Sequence, residues 1–287
     1  MIDLLKIRSR DIVVARHLEG LSFLNYKNTI SGKGKNGDYE YKRYDYNGIH
    51  FEFAKHRVES QITFRPHYYF NSNEHNTNDF NMLDCQSVII EFMDMLDLWN
   101  YVSVLEIFNI EFGTANVIRS KIENFLQRLI YFRTHPFNTH RKYEHHRESF
   151  PRNKLGETTY YKGCKLYSKK HQFPEMDLGE SLRTELKSNE KKFIKRNGIK
   201  TIDDLIKNET YLNWSNLLIE EMKHLLILPE GISSKGLTKK EYKDLKKFRH
   251  EIYWQKLLKY EPYLFNRKKV RYYRILSKIN KNPLEPF

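Results

Sequence analysis

Tyr167 stands between Lys165 and Lys169 in the stretch TTYYKGCKLYSKK, residues 158–170. The stretch reads as a hairpin with Gly163 near its turn, and in an extended run these three side chains share one strand face. A phenol between two cations suits attack on a phosphate. The cations draw the phosphate in and favour the phenolate. A tyrosine oxygen bonded to phosphorus then keeps the energy of the broken phosphodiester, so a nucleic acid strand can be cut and later rejoined without ATP. Two further segments carry charge at strand spacing. In SLRTELKS, residues 181–188, Arg183, Glu185 and Lys187 share a face. In FNIEF, residues 108–112, Asn109 and Glu111 lie opposite Phe108 and Ile110. Carboxylates facing one another from neighbouring strands would hold a hard divalent ion, Mg2+ or Mn2+, which would neutralise charge on the phosphate. Each segment also has an ordinary reading. Strand tyrosines mostly pack, and Arg-x-Glu-x-Lys is usually a solvated face with cross-strand ion pairs. Tyr160 and Tyr161 compete with Tyr167 as nucleophile.

His135, His140, His145 and His146 fall in a basic, irregular stretch, residues 133–155, at spacings that match no zinc pattern. A DNA-contacting loop, with Arg141 and Lys142, is the reading preferred. No His-hydrophobe-His triplet occurs, so no paired-histidine metal site is visible; no Gly-rich phosphate loop, G-x-S-x-G or H-E-x-x-H occurs either, and nothing suggests a nucleotide-hydrolysing motor. The two cysteines, Cys85 and Cys164, form no disulfide framework and no C-x-x-C pair. The charged N-terminus and the lack of a long apolar run point to no membrane partner and to the cytoplasm of a bacterial host cell.

The elements that must position these residues follow from pattern. Residues 1–70 read as strand-rich, with a first strand around Ile7 and Ile12–Ala15, a turn over 31–40, and an Asn47-Gly48 hairpin. Ile49, Phe51 and Phe53 share one face; His50 and Glu52 share the other. A helix is expected around Val88–Leu96, a strand over 102–112 ended by Gly113, and a helix over 117–129. From Glu190 the chain reads as helical. Hairpins outnumber crossovers, so the expected fold class is α+β: an antiparallel β-sheet nuclease core flanked by helices, with a basic helical C-terminal region. The expected division is 1–210 for chemistry and 211–287 for DNA binding. The net charge of +14 across 287 residues, with 20 Tyr and 18 Phe, favours a polyanionic partner. Tyr68, Tyr69 and Trp254 are candidate stacking platforms for bases.

The order of these segments resembles the replication initiators of filamentous phages, the gene II type endonucleases, within the broad plasmid replication initiation superfamily. MIDLLKIR, YNGIHFEF, FNIEFGT, LYSKKHQ, SLRTELKS and KKFIKRNGIKTIDDL carry the likeness over roughly residues 1–210. The resemblance implies a rolling-circle initiator that nicks and rejoins one DNA strand through a phosphotyrosine. It implies Tyr167 as nucleophile, Lys169 as its companion, Glu111 and Glu185 as metal ligands, and Arg183 beside them. Lys165, Lys187, Arg141 and Lys142 would touch DNA. Implied partners are a replication origin, single-stranded and duplex, and host replication proteins. The sequence departs from the pattern in carrying Glu111 where aspartate is usual and Asn109 where arginine is frequent. A conjugative relaxase shares the chemistry; a non-catalytic DNA-binding protein and an RNA-binding protein share the charge.

Overall fold

The structure, a computed structural model, describes residues 1–287 except 35, 36, 119, 154, 156, 160 and 280–287. In chain order the elements are β1 (Ile2–Ser9), α1 (Ile12–Glu19), β2 (Asn25–Gly34), β3 (Gly37–Tyr46), β4 (Ile49–Ala54), β5 (Ser60–Phe64), α2 (Pro66–Phe70) and α3 (Met82–Met95). There follow β6 (Glu106–Val117), α4 (Ile122–Arg128), β7 (Leu129–Phe132), β8 (His135–Pro136), β9 (Asn138–Thr139), β10 (His146–Ser149), β11 (Gly163–Ser168), α5 (Lys169–Gln172) and β12 (Ser181–Ser188). The chain continues through α6 (Lys191–Arg196), α7 (Asn208–Met222), β13 (Leu225–Ile227), α8 (Lys239–Phe248), α9 (Glu251–Tyr260) and α10 (Phe265–Ser277). The fold class is α+β, and its large antiparallel sheet has ten strands among the described residues.

The chain divides into two compact units. Unit 1 is Met1–Thr114, Tyr160–Gly163 and Glu185–Leu217; unit 2 is Ala115–Thr159, Cys164–Thr184 and Leu218–Phe287. The functional division expected after residue 210 falls inside the last segment of unit 1.

Unit 1 carries the strand order β2-β3-β4-β5-β1-β6, followed by the second half of β12. Its hairpins follow local chemistry. Asn47 and Gly48 both hold positive φ, 44° and 73°, as a two-residue primed turn demands. Ile49, Phe51 and Phe53 are buried while His50 is exposed. Cross-strand partners continue that apolar face through Ile62, Leu5, Ile7 and Ile110. Helix α3 covers part of it: Phe92 stacks on Phe64 at 4.4 Å and 14°. Each such phenyl ring contributes about 1.5–3 kcal/mol on burial. The β1–β6 ladder shifts register twice, between Ile2 and Leu4 and between Lys6 and Ile7. These bulges keep Ile107 opposite Ile7 and Ile110 opposite Leu5, so Leu4, Lys6, Asn109 and Glu111 take the other face.

Four expected boundaries are corrected. Ile12–Ala15 starts α1, because Asp11 accepts from the Val13 N–H and caps a helix. The turn over 31–40 is narrower, since β2 runs to Gly34 and β3 begins at Gly37; its tip lies outside the described residues. Residues 99–104 form a 3-10 turn, and β6 runs past Gly113 to Val117, where a helix start was expected. The C-terminal region is helical but also contributes β13, which pairs with β7.

Unit 2 contains the first half of β12 beside β11, β10 and β9, and a three-stranded sheet in the order β13-β7-β8. Helices α8, α9 and α10 close over the latter. Trp254, Phe248, Tyr272, Phe265 and Leu276 meet Tyr131 and Leu226 in one apolar cluster. Trp254 is fully buried and donates its indole N–H to the Phe248 carbonyl at 2.7 Å, so it cannot serve as a stacking platform.

Candidate active site

Tyr167 lies near the end of β11, opposite His146 of β10, and their rings sit 5.0 Å apart. Tyr167 is 9% exposed, so little of it meets solvent. The hairpin expected over 158–170 does not form within that stretch, because β11 pairs with β10 instead. Ser168 explains where the strand stops. Its hydroxyl accepts the His171 N–H and caps α5, so Lys169 is the first residue of a helix. The strand alternation expected to align Lys169 with Tyr167 therefore fails. The two still meet: Lys169 Nζ lies 5.4 Å from the Tyr167 ring centroid and 5.5 Å from that of Phe173. Only 1% of Lys169 is exposed, so the cation faces aromatic π-systems with little water to compete. Lys165 stands opposite Glu148 and is half-buried. Arg183, in the unit 2 half of β12, is buried.

The carboxylates belong to unit 1. Glu111 and Lys187 form an ion pair at 2.6 Å, which puts Lys187 on the Asn109–Glu111 face of the sheet. Alternation along β12 places Glu185 on that same face. Asn109, Glu111 and Glu185 are all buried. The Arg-x-Glu-x-Lys strand is thus not a solvated face. Arg183 and Glu185 are buried and Lys187 is half-buried, and a buried ion must be paired or hydrogen-bonded to be tolerated.

These residues do not amount to a ready-made metal centre. Among the described residues no group of three or more His, Cys, Asp and Glu is placed to hold an ion. The Glu111 carboxylate also already carries a lysine. The histidines pack on other rings: His140 stacks on His146 at 4.7 Å, and His145 meets His171 at 3.8 Å, tilted by 37°. Arg141 and Lys142 are exposed in the loop between β9 and β10. Tyr161 is 43% exposed and packs edge-on against Phe193 in unit 1, whereas Tyr160 lies outside the described residues. Tyr68 and Tyr69 are half-buried in α2. The Tyr69 hydroxyl donates to Glu91 at 2.7 Å, and burial followed by that carboxylate pushes its pKa up to about 12.

Sequence reasoning passed over two features. His146 reads in sequence only as part of a basic loop, yet it faces Tyr167; local spacing holds no sign of this, because the two residues are 21 positions apart in the chain. Arg133, in an unremarkable FRTHP run, takes a positive φ of 56° at the β7–β8 turn. No helix among the described residues is long and apolar enough to cross a membrane.

No protein-family model and no curated protein matches the chain. Among solved structures, the rolling circle replication initiator protein from Geobacillus stearothermophilus is similar at a TM-score of 0.38 and 10% identity, covering 87% of this chain and 96% of that one. The di-domain ARO/CYC BexL from the BE-7585A biosynthetic pathway reaches a TM-score of 0.18 and 7% identity, over 78% of this chain and 98% of its own. Neither likeness carries an argument about activity.

Proposed function

We propose that this chain nicks and rejoins one strand of DNA through Tyr167, as an initiator of rolling-circle replication. The observation that carries the reading is the nearly buried Lys169 ammonium held over the Tyr167 ring. A cation there lowers the cost of a phenolate and of negative charge gathering on an incoming phosphate. The motif order and the net charge of +14 support it. In the forward step the tyrosine oxygen bonds to phosphorus, the bond from phosphorus to the 3′ oxygen breaks, and that oxygen leaves as a 3′-hydroxyl. The tyrosine retains the 5′ phosphate. In the return step a 3′-hydroxyl attacks, the strand closes and the phenol is released. Arg183, Lys165 and Lys187 would meet backbone phosphates, with Arg141 and Lys142 on the exposed loop. Residues 1–210 would do the chemistry and 211–287 would grip the origin, alongside host replication proteins. Glu111 and Glu185 are the carboxylates that would hold a Mg2+ or Mn2+ ion, which would neutralise charge on the phosphate.

The limited exposure of Tyr167 and the pairing of Glu111 with Lys187 favour a second reading, a DNA-binding protein without catalysis. Supercoiled plasmid incubated with the protein and Mg2+ or Mn2+, with and without EDTA, separates the two. The proposed chemistry predicts nicked circles, a covalent peptide–oligonucleotide adduct at Tyr167 by mass spectrometry, and a loss of about 1,000-fold or more in Tyr167→Phe. Equal nicking by Tyr167→Phe rejects the nucleophile, and no nicking by the parent under any of these conditions leaves the second reading.

A further inference from the structure

Unit 2 contains a cavity of about 510 Å³ lined by residues of the β7–β8 hairpin, the two residues between α7 and β13, and α10. Six side chains matter: Arg133, His135, Lys223, His224, Asn266 and Lys269. Lys269 is 5% exposed. Among the described residues its ammonium makes one hydrogen bond, a long one of 3.4 Å to the Lys223 carbonyl. An ammonium has three donors, so a buried charge here is under-served. Burial first, and the Arg133 charge second, hold the Lys269 pKa down to about 8. The other cations are answered. Arg133 grips Glu221 through two nitrogens, at 2.9 and 3.1 Å, and Lys223 pairs with Glu220 at 2.5 Å. Burial, then the Arg133 charge, lowers the His135 pKa.

The backbone adds an independent sign. The β7–β8 turn has two residues, and its first position takes a positive φ that Gly or Asn adopts readily. Arg133 occupies it at φ 56°. Strain of this kind persists where the surroundings enforce it, commonly at binding sites. Here the strained residue supplies the guanidinium that engages Glu221 and forms one wall of the cavity.

We propose that this cavity holds one nucleotide of single-stranded DNA, its phosphodiester on Lys269 and its base among His135, His224 and Asn266. One unanswered cation matches the single negative charge of a phosphodiester better than the double charge of a terminal phosphate. The volume lies in the range of pockets that enclose small organic groups. Ring faces can stack on a base and the Asn266 amide can bond its edge. A paired, stacked base in duplex DNA presents no free face to such a pocket. The inference rests on the reading that the chain meets DNA and is independent of the nicking chemistry.

The test is binding of labelled dT10 to the intact protein at fixed salt. Lys269→Met, which keeps the stem and removes the charge, should weaken binding about tenfold and flatten the salt dependence by roughly 0.7 in slope. Lys269→Arg should stay within threefold of the parent. Asn266→Asp, a change at an exposed position, should also weaken binding, about fivefold, which keeps the test decisive if Lys269→Met folds poorly. Unchanged dT10 affinity in Lys269→Met or Asn266→Asp overturns the proposal. So does competition by free dTMP as strong as by dT10, which would assign the pocket to loose nucleotides. A parent that binds dT10 through Lys269 yet never nicks plasmid keeps the pocket and loses the nickase; one that nicks while Lys269→Met binds normally does the reverse.

Discussion

Glu59 in unit 1 and Lys269 in unit 2 are buried to nearly the same degree, 4% and 5% exposed, and both have lowered pKa values. The shared direction has opposite meanings. For Glu59, burial works to raise the pKa, but hydrogen bonds from Gln61 and Tyr41, the Arg57 charge and a bond from Arg10 outweigh it. Its carboxylate accepts from Gln61 at 2.8 Å, Arg57 at 3.0 Å and Tyr41 at 3.1 Å. The charged form is the stable one. For Lys269, burial wins, and the charged form is the one disfavoured. A charge surrounded by partners is part of the scaffold; a charge with donors to spare is where a ligand of opposite sign gains most.

The largest effect expected of this contrast is at Lys269. A folded-state pKa near 8 against an ordinary 10.5 corresponds to a penalty of about 3 kcal/mol. Because the folded pKa is the lower one, the penalty is fully present below pH 8 and is relieved as pH rises toward 10.5. Lys269→Met should therefore be more stable than the parent at pH 7 by urea titration, and the difference should close by pH 10.5. Arg133, His135, Lys223 and His224 face the same cavity and remain in both proteins, so the difference isolates Lys269. A variant less stable than the parent at pH 7 would mean that Lys269 is already satisfied, and the comparison breaks.

At Glu59 the sign reverses. Glu59→Leu should cost about 2 kcal/mol, since Tyr41 and Gln61 lose their acceptor. The parent should hold this stabilisation above pH 4.5, the ordinary glutamate value, and lose it as pH falls through the lower folded pKa. Glu59→Gln should show a flatter acid limb. An identical acid limb in parent and variant would show that the carboxylate's partners do not distinguish its charged form.

The smallest effect is expected at Arg133. Arg133→Gly relieves the positive φ by about 1 kcal/mol but removes the guanidinium from the buried Glu221, for a net loss of about 1 kcal/mol. Adding Glu221→Gln should recover part of it. A net gain in Arg133→Gly alone would show that strain outweighs the ion pair and would sharpen the case that Arg133 is retained for binding.

Several strands and one turn are legible in the sequence because their determinants are local. Alternation in Ile49–Ala54, the Asn47-Gly48 turn and the Ser181–Ser188 strand all appear where pattern placed them. The site was legible only in part. Tyr167 and Lys169 do meet, but over a helix cap rather than along a strand, because Ser168 redirects the chain. The hairpin around Gly163 was misjudged because a β-rich segment does not declare its partner, and β10 competed successfully. Trp254 looked like a free aromatic in a basic tail, but the three C-terminal helices bury it.

By itself the chain's sequence determined the alternation of its strands, its tight primed turn and its surplus of positive charge, since each follows from residue type and the nearest few neighbours. Only the tertiary structure decided which charges are answered. Glu59 draws its donors from Arg10, Tyr41 and Arg57, and Lys269 meets a turn 136 residues earlier in the chain through Arg133. Arg57 and Gln61 lie two residues from Glu59, but its burial and the partners supplied by Arg10 and Tyr41 come from packing between separate segments, which no short window of sequence contains.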